Sequence, residues 1–390
     1  MRPLRTAFVM EQALGHITHY RNLRAFTDRQ PDIAPVWLPI PFEVSGLTRL
    51  VPLLRNNWSV RASWRARVAL GRIPAGTSLD AALFHTQVTS LFSIKFMKRV
   101  PSLISLDATP INYDTVGQHY GHRAAGGGLL DRKKYDMNRR AFHAAARLVT
   151  WSEWARQSLV EDYGVDGSRI RVLPPGASRP YFQIGQTRSA AAPAAQTGRV
   201  RMLFVGADFR RKGGPTLLEA MAGRLGSLCE LHVVTQSELV VPPNVIVHRG
   251  LQANSPELLR QFAEADLFVL PTHADCLSLV LMEAAAAGLP VITTNVGALS
   301  EGLVPDRSGL LIPPGDTRAL QAALTVMVDD PGRRQRMGRA GHAFALQKFD
   351  AESNNRLMLD HIGEVARSGT HPAATLDERA EPARQVSRIG

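Results

Sequence analysis

Residues 271 to 288, PTHADCLSLVLMEAAAAG, restrict this chain to a narrow class of folds. They follow the short apolar run ADLFVLP and precede another, LPVITT, so the stretch reads as strand, polar loop, helix, glycine stop and strand. That order is the grammar of a parallel β-α-β unit, because parallel strands need a crossover between them. In open α/β sheets ligands bind outside the carboxyl ends of the strands, where this loop must lie. Asp275 stands at the loop–helix junction and Glu283 two turns further along. Glu283 is the only charged residue between Asp275 and Glu301. A lone carboxylate in an apolar helix needs a partner or a ligand. The two acids are therefore candidates for gripping a hydroxyl-rich ligand, against the plainer alternative of an Asp cap and a surface Glu.

The rest of the chain repeats this grammar in two halves. RTAFVM, AALFHTQ, SLISLD, ARLVTWS and RIRVLPPG read as strands of the first, with helices at THYRNLRAF and EWARQSLVEDYG. VRMLFVG, ELHVVTQ, NVIVHRG, ADLFVLP, PVITT and GLLIP read as strands of the second. Short apolar strands alternating with helices imply α/β domains with parallel sheets covered on both faces. The stretch 185–199, rich in Ala, Gln, Gly and Thr and without periodicity, reads as a linker. The expected division is an N-terminal domain over 1–184, a second domain over 200–349, a closing helix over 350–367 that returns toward the first, and a polar, disordered tail over 368–390. At 390 residues, each half is large enough to bury its own core.

Composition narrows the setting. Two cysteines, Cys229 and Cys276, make no disulfide framework, which points to a reducing cytoplasm. The start MRPLRTAFVM holds too short an apolar stretch for a signal peptide, and no run approaches the ~18–20 residues of a spanning helix. The net charge of +12 prompts a nucleic-acid reading, but no nucleic-acid module occurs and the basic residues are scattered, so none is expected. Anionic nucleotides, an anionic membrane surface or ordinary solubilising charge account for it equally.

The 271–288 segment resembles the E-x7-E element of the retaining glycosyltransferases of family 4 (glycosyl transferases group 1), with Asp275 in place of the first Glu and Cys276 in place of the following Gly. The likeness extends to LVTWSEWARQSLVEDYGVDGSRIRVLPPGA and to LFVGADFRRKGGPTLLEAM, and so covers most of the chain. It implies the GT-B fold, two Rossmann-like parallel-sheet domains facing across a cleft, with the nucleotide-sugar donor held by the second. Carried over residue by residue, Glu283 binds the ribose and Asp275 faces the donor sugar, with Cys276, Leu277 and Ser278 completing that loop. Lys212 matches the family's phosphate-binding lysine. The family's Arg after the first Gly is absent, since Ala207 stands there; Arg211 is the candidate replacement and Arg210 the alternative. Gly206 and Gly213 let backbone approach a diphosphate beside a helix start, a sensible anion site in its own right. Gly297 and Glu301 in NVGALSE resemble a donor-side loop, and Gly250 in HRGL the strand end that meets the base. Each of these has a bland alternative as turn or surface residue.

On the first domain Gly15 and His16 follow the first strand, and Asp107 ends another, similar to a family His-Asp element whose His is here Leu106. Gly permits close approach, and His at a strand end can bond phosphate or an acceptor hydroxyl. His19, three residues on, reads as a helix-face residue. The resemblance implies a retaining glycosyltransferase that uses a nucleoside-diphosphate sugar and a glycan or lipid-linked acceptor. Front-face departure of the diphosphate would be eased by Arg211, Lys212 and backbone N–H groups, with no metal or other cofactor. An epimerase or phosphorylase on the same fold, or a non-catalytic nucleotide-sugar-binding subunit, stays open as the alternative. Residues 45–73 hold six Arg, two Trp and no acid. Arg61, Arg65 and Arg72 beside Trp58 and Trp64 suit a basic face on an anionic membrane; the alternative is an ordinary domain helix.

Overall fold

The computed structural model describes residues 2–369 except 14, 121–125, 127 and 191–197. Two parallel six-stranded sheets organise it. The first contains β1 (Leu4–Gln12), β2 (Ile33–Pro41), β3 (Ala81–His85), β4 (Ser102–Leu106), β5 (Arg147–Thr150) and β6 (Ile170–Val172), in the order β2-β1-β3-β4-β5-β6. The second contains β7 (Val200–Val205), β8 (Cys229–Val234), β9 (Val245–His248), β10 (Leu267–Leu270), β11 (Val291–Thr294) and β12 (Gly309–Ile312), in the order β12-β11-β10-β7-β8-β9. β3, β4 and β10 are buried from end to end, as strands covered on both faces must be. The GT-B expectation for the fold is met.

Each sheet changes winding direction once. In the first, β2 and β3 lie on opposite sides of β1; in the second, β8 and β10 lie on opposite sides of β7. Loops leaving adjacent strands at such a switch point diverge to opposite faces and leave a crevice for a ligand. The two crevices, β1/β3 and β7/β10, position everything that follows.

One strand is absent from the sequence reading. β2 carries Pro35, Pro39 and Pro41, which argue against a strand. It sits at the sheet edge, where N–H groups on one side have no ladder to join and proline is tolerated. The stretch 185–199 also differs in part from its reading as a linker. Residues 185–190 complete the helix Arg179–Ala190, and 191–197 lie outside the described residues. A Cβ at Gly185 would fall 2.1 Å from the carbonyl oxygen of Ala286. Gly185 therefore serves close helix packing rather than looseness. The proposed tail from 370 onward also lies outside the described residues.

The chain crosses between domains twice, side by side. The N–H of Ala177 donates to Phe349 O at 2.8 Å, and that of Ala351 to Ala177 O at 3.1 Å. Beyond the second crossing, the helix Ala351–Ser368 packs Met358, Leu359 and Ile362 against Phe8, Leu83 and Leu103 of the first sheet.

Candidate functional site

At the β7/β10 crevice two loops are pinned together. Gly206 follows β7 directly, and a Cβ on it would sit 2.9 Å from Lys212 Cγ. Gly213 takes φ +80, a conformation that favours glycine, and a Cβ there would lie 1.8 Å from Pro271 O. The loop after β10 answers with His273 N–H donating to Arg211 O at 2.9 Å, while Arg211 Nη1 donates to Ala274 O at 2.8 Å. Gly213 is thus demanded by the approach of one loop to the other, and Gly206 by the Lys212 side chain folding back over its own loop. The result presents Lys212 and Asp275, both buried, as an ion pair through Nζ and Oδ2. Arg211 is largely sheltered beside them and also approaches Asp208 at 3.6 Å, whereas Arg210 is exposed. Arg211 is the one of the two that faces the crevice.

Glu283 lies buried in the helix Leu279–Ala286, whose remaining residues are apolar. Burial pushes its carboxyl up to about 7, against the opposing pull of the Tyr181 hydroxyl. A buried carboxyl raised in this way, beside the crevice, is a candidate ligand-binding group. Cys276 precedes this helix, with Leu277 and Ser278 buried beside it. Gly297, at φ +54, brings the loop after β11 against this element, since a Cβ on it would fall 2.2 Å from Asp275 O. Gly250 is exposed at the end of edge strand β9, two strands from β7.

The β1/β3 crevice holds a charged triad. His16 lies between two acids, Nδ1 3.1 Å from Glu11 Oε2 and Nε2 3.3 Å from Asp107 Oδ2. Burial alone would lower its pKa, but Asp107 and Glu11 together lift it to about 10. His16 is therefore an imidazolium at neutral pH and donates from both nitrogens. That arrangement stabilises the fold below the ordinary histidine range and is lost as pH climbs toward 10. Glu11 is further fixed by Trp58 Nε1 at 2.5 Å and Thr86 Oγ1 at 2.7 Å. Sequence reading passed over Glu11. Its signal was an acid inside the otherwise apolar end of β1, the same anomaly that marks Glu283.

His19 is not a plain helix-face residue. It turns inward with His85 and Trp151 to form an aromatic cluster under His16, the His85 and Trp151 rings stacked at 5.5 Å and His19 at 4.8 Å from His85. Burial and the neighbouring His16 charge hold both imidazoles neutral, His19 at about 3 and His85 well below its ordinary value.

The two crevices face each other. The Leu279 side chain comes within 3.8 Å of where a Gly15 Cβ would stand. The thiol of Cys276 is pushed well up by burial and by Asp107 across the cleft and Asp275 beside it. Tyr113, raised to about 12 by burial, then Cys276 and Asp107, stands at the same meeting point. Lys212, Arg211, Asp275, Cys276, His16 and Asp107 are therefore brought together.

Glu301 and the 45–73 stretch are placed differently from expectation. The Glu301 carboxylate does not turn to the crevice: it accepts from the N–H groups of Glu153 at 2.8 Å and Trp154 at 2.9 Å, in the first domain. In 45–73, Arg61 is buried, donating to Leu54 O at 2.7 Å and Phe42 O at 3.0 Å, and Arg65 donates to Pro41 O and to Ser45 Oγ at 3.2 Å. These arginines tie down the segment that follows β2 and Trp58 bonds Glu11, so Arg61, Arg65 and Trp58 do not contribute to the expected basic face, while Arg72 is exposed. The reason is local: Phe42–Asn57 leaves several carbonyls without helix partners, and a guanidinium satisfies two or three at once.

Residues 199–330 match the family model described as Glycosyl transferases group 1. The D-inositol 3-phosphate glycosyltransferase of Arthrobacter sp. (strain FB24) is 30% identical over 246 residues, covering 59% of this chain and 58% of that relative. The chain thus spans under two thirds of that relative's length. The MMP alpha-(1->4)-mannosyltransferase of Mycolicibacterium hassiacum is 28% identical over 345 residues, covering 83% of this chain and 80% of its own. Among solved structures, sucrose-phosphate synthase from Thermosynechococcus elongatus superposes with a TM-score of 0.69 at 17% identity, covering 94% of this chain and 100% of that one. Anabaena Alr3699/HepE in complex with UDP and glucose gives 0.63 at 15%, covering 92% of this chain and 99% of that one. At those identities the likeness is one of fold.

Proposed function

We propose that this chain, a member of glycosyl transferases group 1 through residues 199–330, moves a sugar from a nucleoside-diphosphate sugar to a hydroxyl of a glycan or lipid-linked acceptor, with retention of the anomeric configuration. One observation carries the proposal: the two switch-point crevices meet, with Lys212 and Arg211 on one side and the imidazolium of His16 on the other. Three cations around one gap suit a leaving diphosphate, whose developing charge is the largest electrostatic demand of the transfer. Glu283 accepts from ribose hydroxyls. Asp275, released from Lys212 when phosphate arrives, accepts from the sugar. The departing phosphate takes the acceptor's proton, so the acceptor attacks from the face the diphosphate leaves. The experiment is a thermal-shift screen of nucleoside-diphosphate sugars, then NMR of the anomeric proton in the product. Donor binding without transfer to any glycan or lipid-linked acceptor favours a binding subunit, and turnover without an acceptor favours an epimerase.

Because the protein itself supplies these cations, transfer is expected to persist in excess EDTA. Full loss of activity, restored by Mg²⁺ or Mn²⁺, overturns the electrostatic assignment.

Docking at an anionic leaflet is proposed at a different place from the arginine face. Leu50 and Leu53 are 77% and 62% exposed, with Phe42 and Val51 also open to solvent and Arg49 and Arg55 beside them. They follow the carboxyl end of β2, on the cleft side of the first domain. Apolar side chains ringed by arginine fit a headgroup boundary, and each basic residue adds about 1 kcal/mol at low salt. Co-sedimentation with phosphatidylglycerol vesicles, and none with phosphatidylcholine, is expected at low salt, with Leu50→Asp/Leu53→Asp failing to bind. Equal recovery of wild type and variant refutes the docking surface. None of the described helices is long and apolar enough to cross a membrane.

A further inference from the structure

The helix Glu153–Glu161 begins in the first domain, and its leading N–H groups need acceptors. The side chain of its own Ser152 satisfies only Ala155, at 3.2 Å. The N–H groups of Glu153 and Trp154 are satisfied by Glu301, which belongs to the loop after β11 in the second domain. A carboxylate at a helix N-terminus gains from the positive end of the helix dipole as well as from the two bonds. The same loop carries Gly297, which abuts Asp275, and the residue before the helix cap is Trp151, which packs on His16 and His85. One side chain therefore bridges the donor loop and the acceptor-side cluster. The bridge also reaches the crossing between domains, since Lys348 Nζ donates to Glu301 O at 3.3 Å, one residue before Phe349. A further cross-domain polar contact is neutral: Asn254 Nδ2 donates to Asn22 Oδ1 at 3.0 Å.

We infer that Glu301 is a cross-domain positioning residue: its carboxylate caps the Glu153–Glu161 helix from the opposite domain and holds the two half-sites in register across the cleft. It touches neither donor nor acceptor. Its effect on rate rests on the glycosyltransferase function proposed above, but its effect on domain geometry does not.

The test compares Glu301→Gln, which keeps shape but loses charge and one acceptor, with Ser152→Ala, which weakens the same helix start without touching the other domain. Small-angle scattering of the ligand-free protein is expected to show a larger radius of gyration for Glu301→Gln and a wild-type value for Ser152→Ala. Where wild type transfers sugar, Glu301→Gln is expected to lower kcat about tenfold, the scale of one charge-assisted hydrogen bond, with the nucleotide Kd unchanged. Glu301→Ala, lacking both acceptors, should show a larger radius still. Unchanged scattering in both Glu301 variants, or an equal expansion in Ser152→Ala, overturns the inference. A wild type that transfers nothing to any acceptor counts against the function and leaves the scattering comparison intact.

Discussion

Lys212→Ala is expected to lower kcat/KM by a hundredfold or more, the largest effect of any single substitution in the crevice. A charge-assisted contact to the leaving diphosphate contributes about 1.5–3 kcal/mol, which alone is roughly ten- to a hundredfold. Removing Lys212 also strands the buried Asp275 carboxylate where the phosphate must arrive, so repulsion adds to the lost attraction. Breaking one partner of a buried ion pair typically costs about 3–5 kcal/mol of stability, so the melting temperature should fall as well. Lys212→Ala/Asp275→Asn is expected to recover the melting temperature but not the rate, which separates fold from chemistry. Arg211→Ala should lie within the ten- to hundredfold range and Arg210→Ala near wild type, because only Arg211 is turned to the crevice. A Lys212→Ala enzyme that turns over like wild type would sink the site assignment.

Glu283→Gln is expected to make the protein more stable and worse at binding its donor. In the fold the carboxyl titrates at about 7 rather than the ordinary 4.5, burial being the main cause. The folded state therefore holds a proton that the unfolded chain releases between those values, and stability declines as pH rises through that window. By pH 8 the gap amounts to about 3 kcal/mol against folding, a cost that a neutral amide avoids. The carboxylate is in turn the better acceptor for ribose hydroxyls, so donor binding should favour the ionised form. Calorimetric titration with a nucleoside diphosphate should show affinity falling as pH drops below 7, approaching tenfold per unit, with this limb absent in Glu283→Gln. A melting temperature that falls at pH 8, together with a pH-independent affinity in the wild type, contradicts the role given to Glu283.

Features with local physical causes were legible in the sequence. The strands of the second half are short apolar runs between turns, and all six stand where they were read. Asp275, Lys212 and the glycines lie in loops that leave strand ends, with Glu283 on the helix that one of those loops starts, and strand ends at a switch point converge by topology alone. What escaped depends on partners far along the chain. β2 is a strand despite three prolines because its place is at an edge, which no local window reveals. Arg61 and Arg65 read as part of a basic membrane face, but carbonyls of the segment after β2 are their partners. Glu301 sits in a loop that resembles a donor-binding one, yet its carboxylate meets a helix almost 150 residues earlier in the chain. Glu11 was legible in principle, as an acid at the apolar end of β1, but its role depends on His16 and Trp58, which close on it only in the fold.

The double crossing between domains has a consequence for anyone who would divide this protein. The sequence reading places the border in the 185–199 stretch, but the helix Ala351–Ser368 fills one side of the first sheet, against Phe8, Leu83 and Leu103. A fragment ending at the apparent border would bare that apolar face, while a fragment beginning there would carry an orphaned amphipathic helix. Neither piece is a self-sufficient module. The first domain is assembled from both ends of the chain, so its final closure must wait until synthesis has passed residue 362.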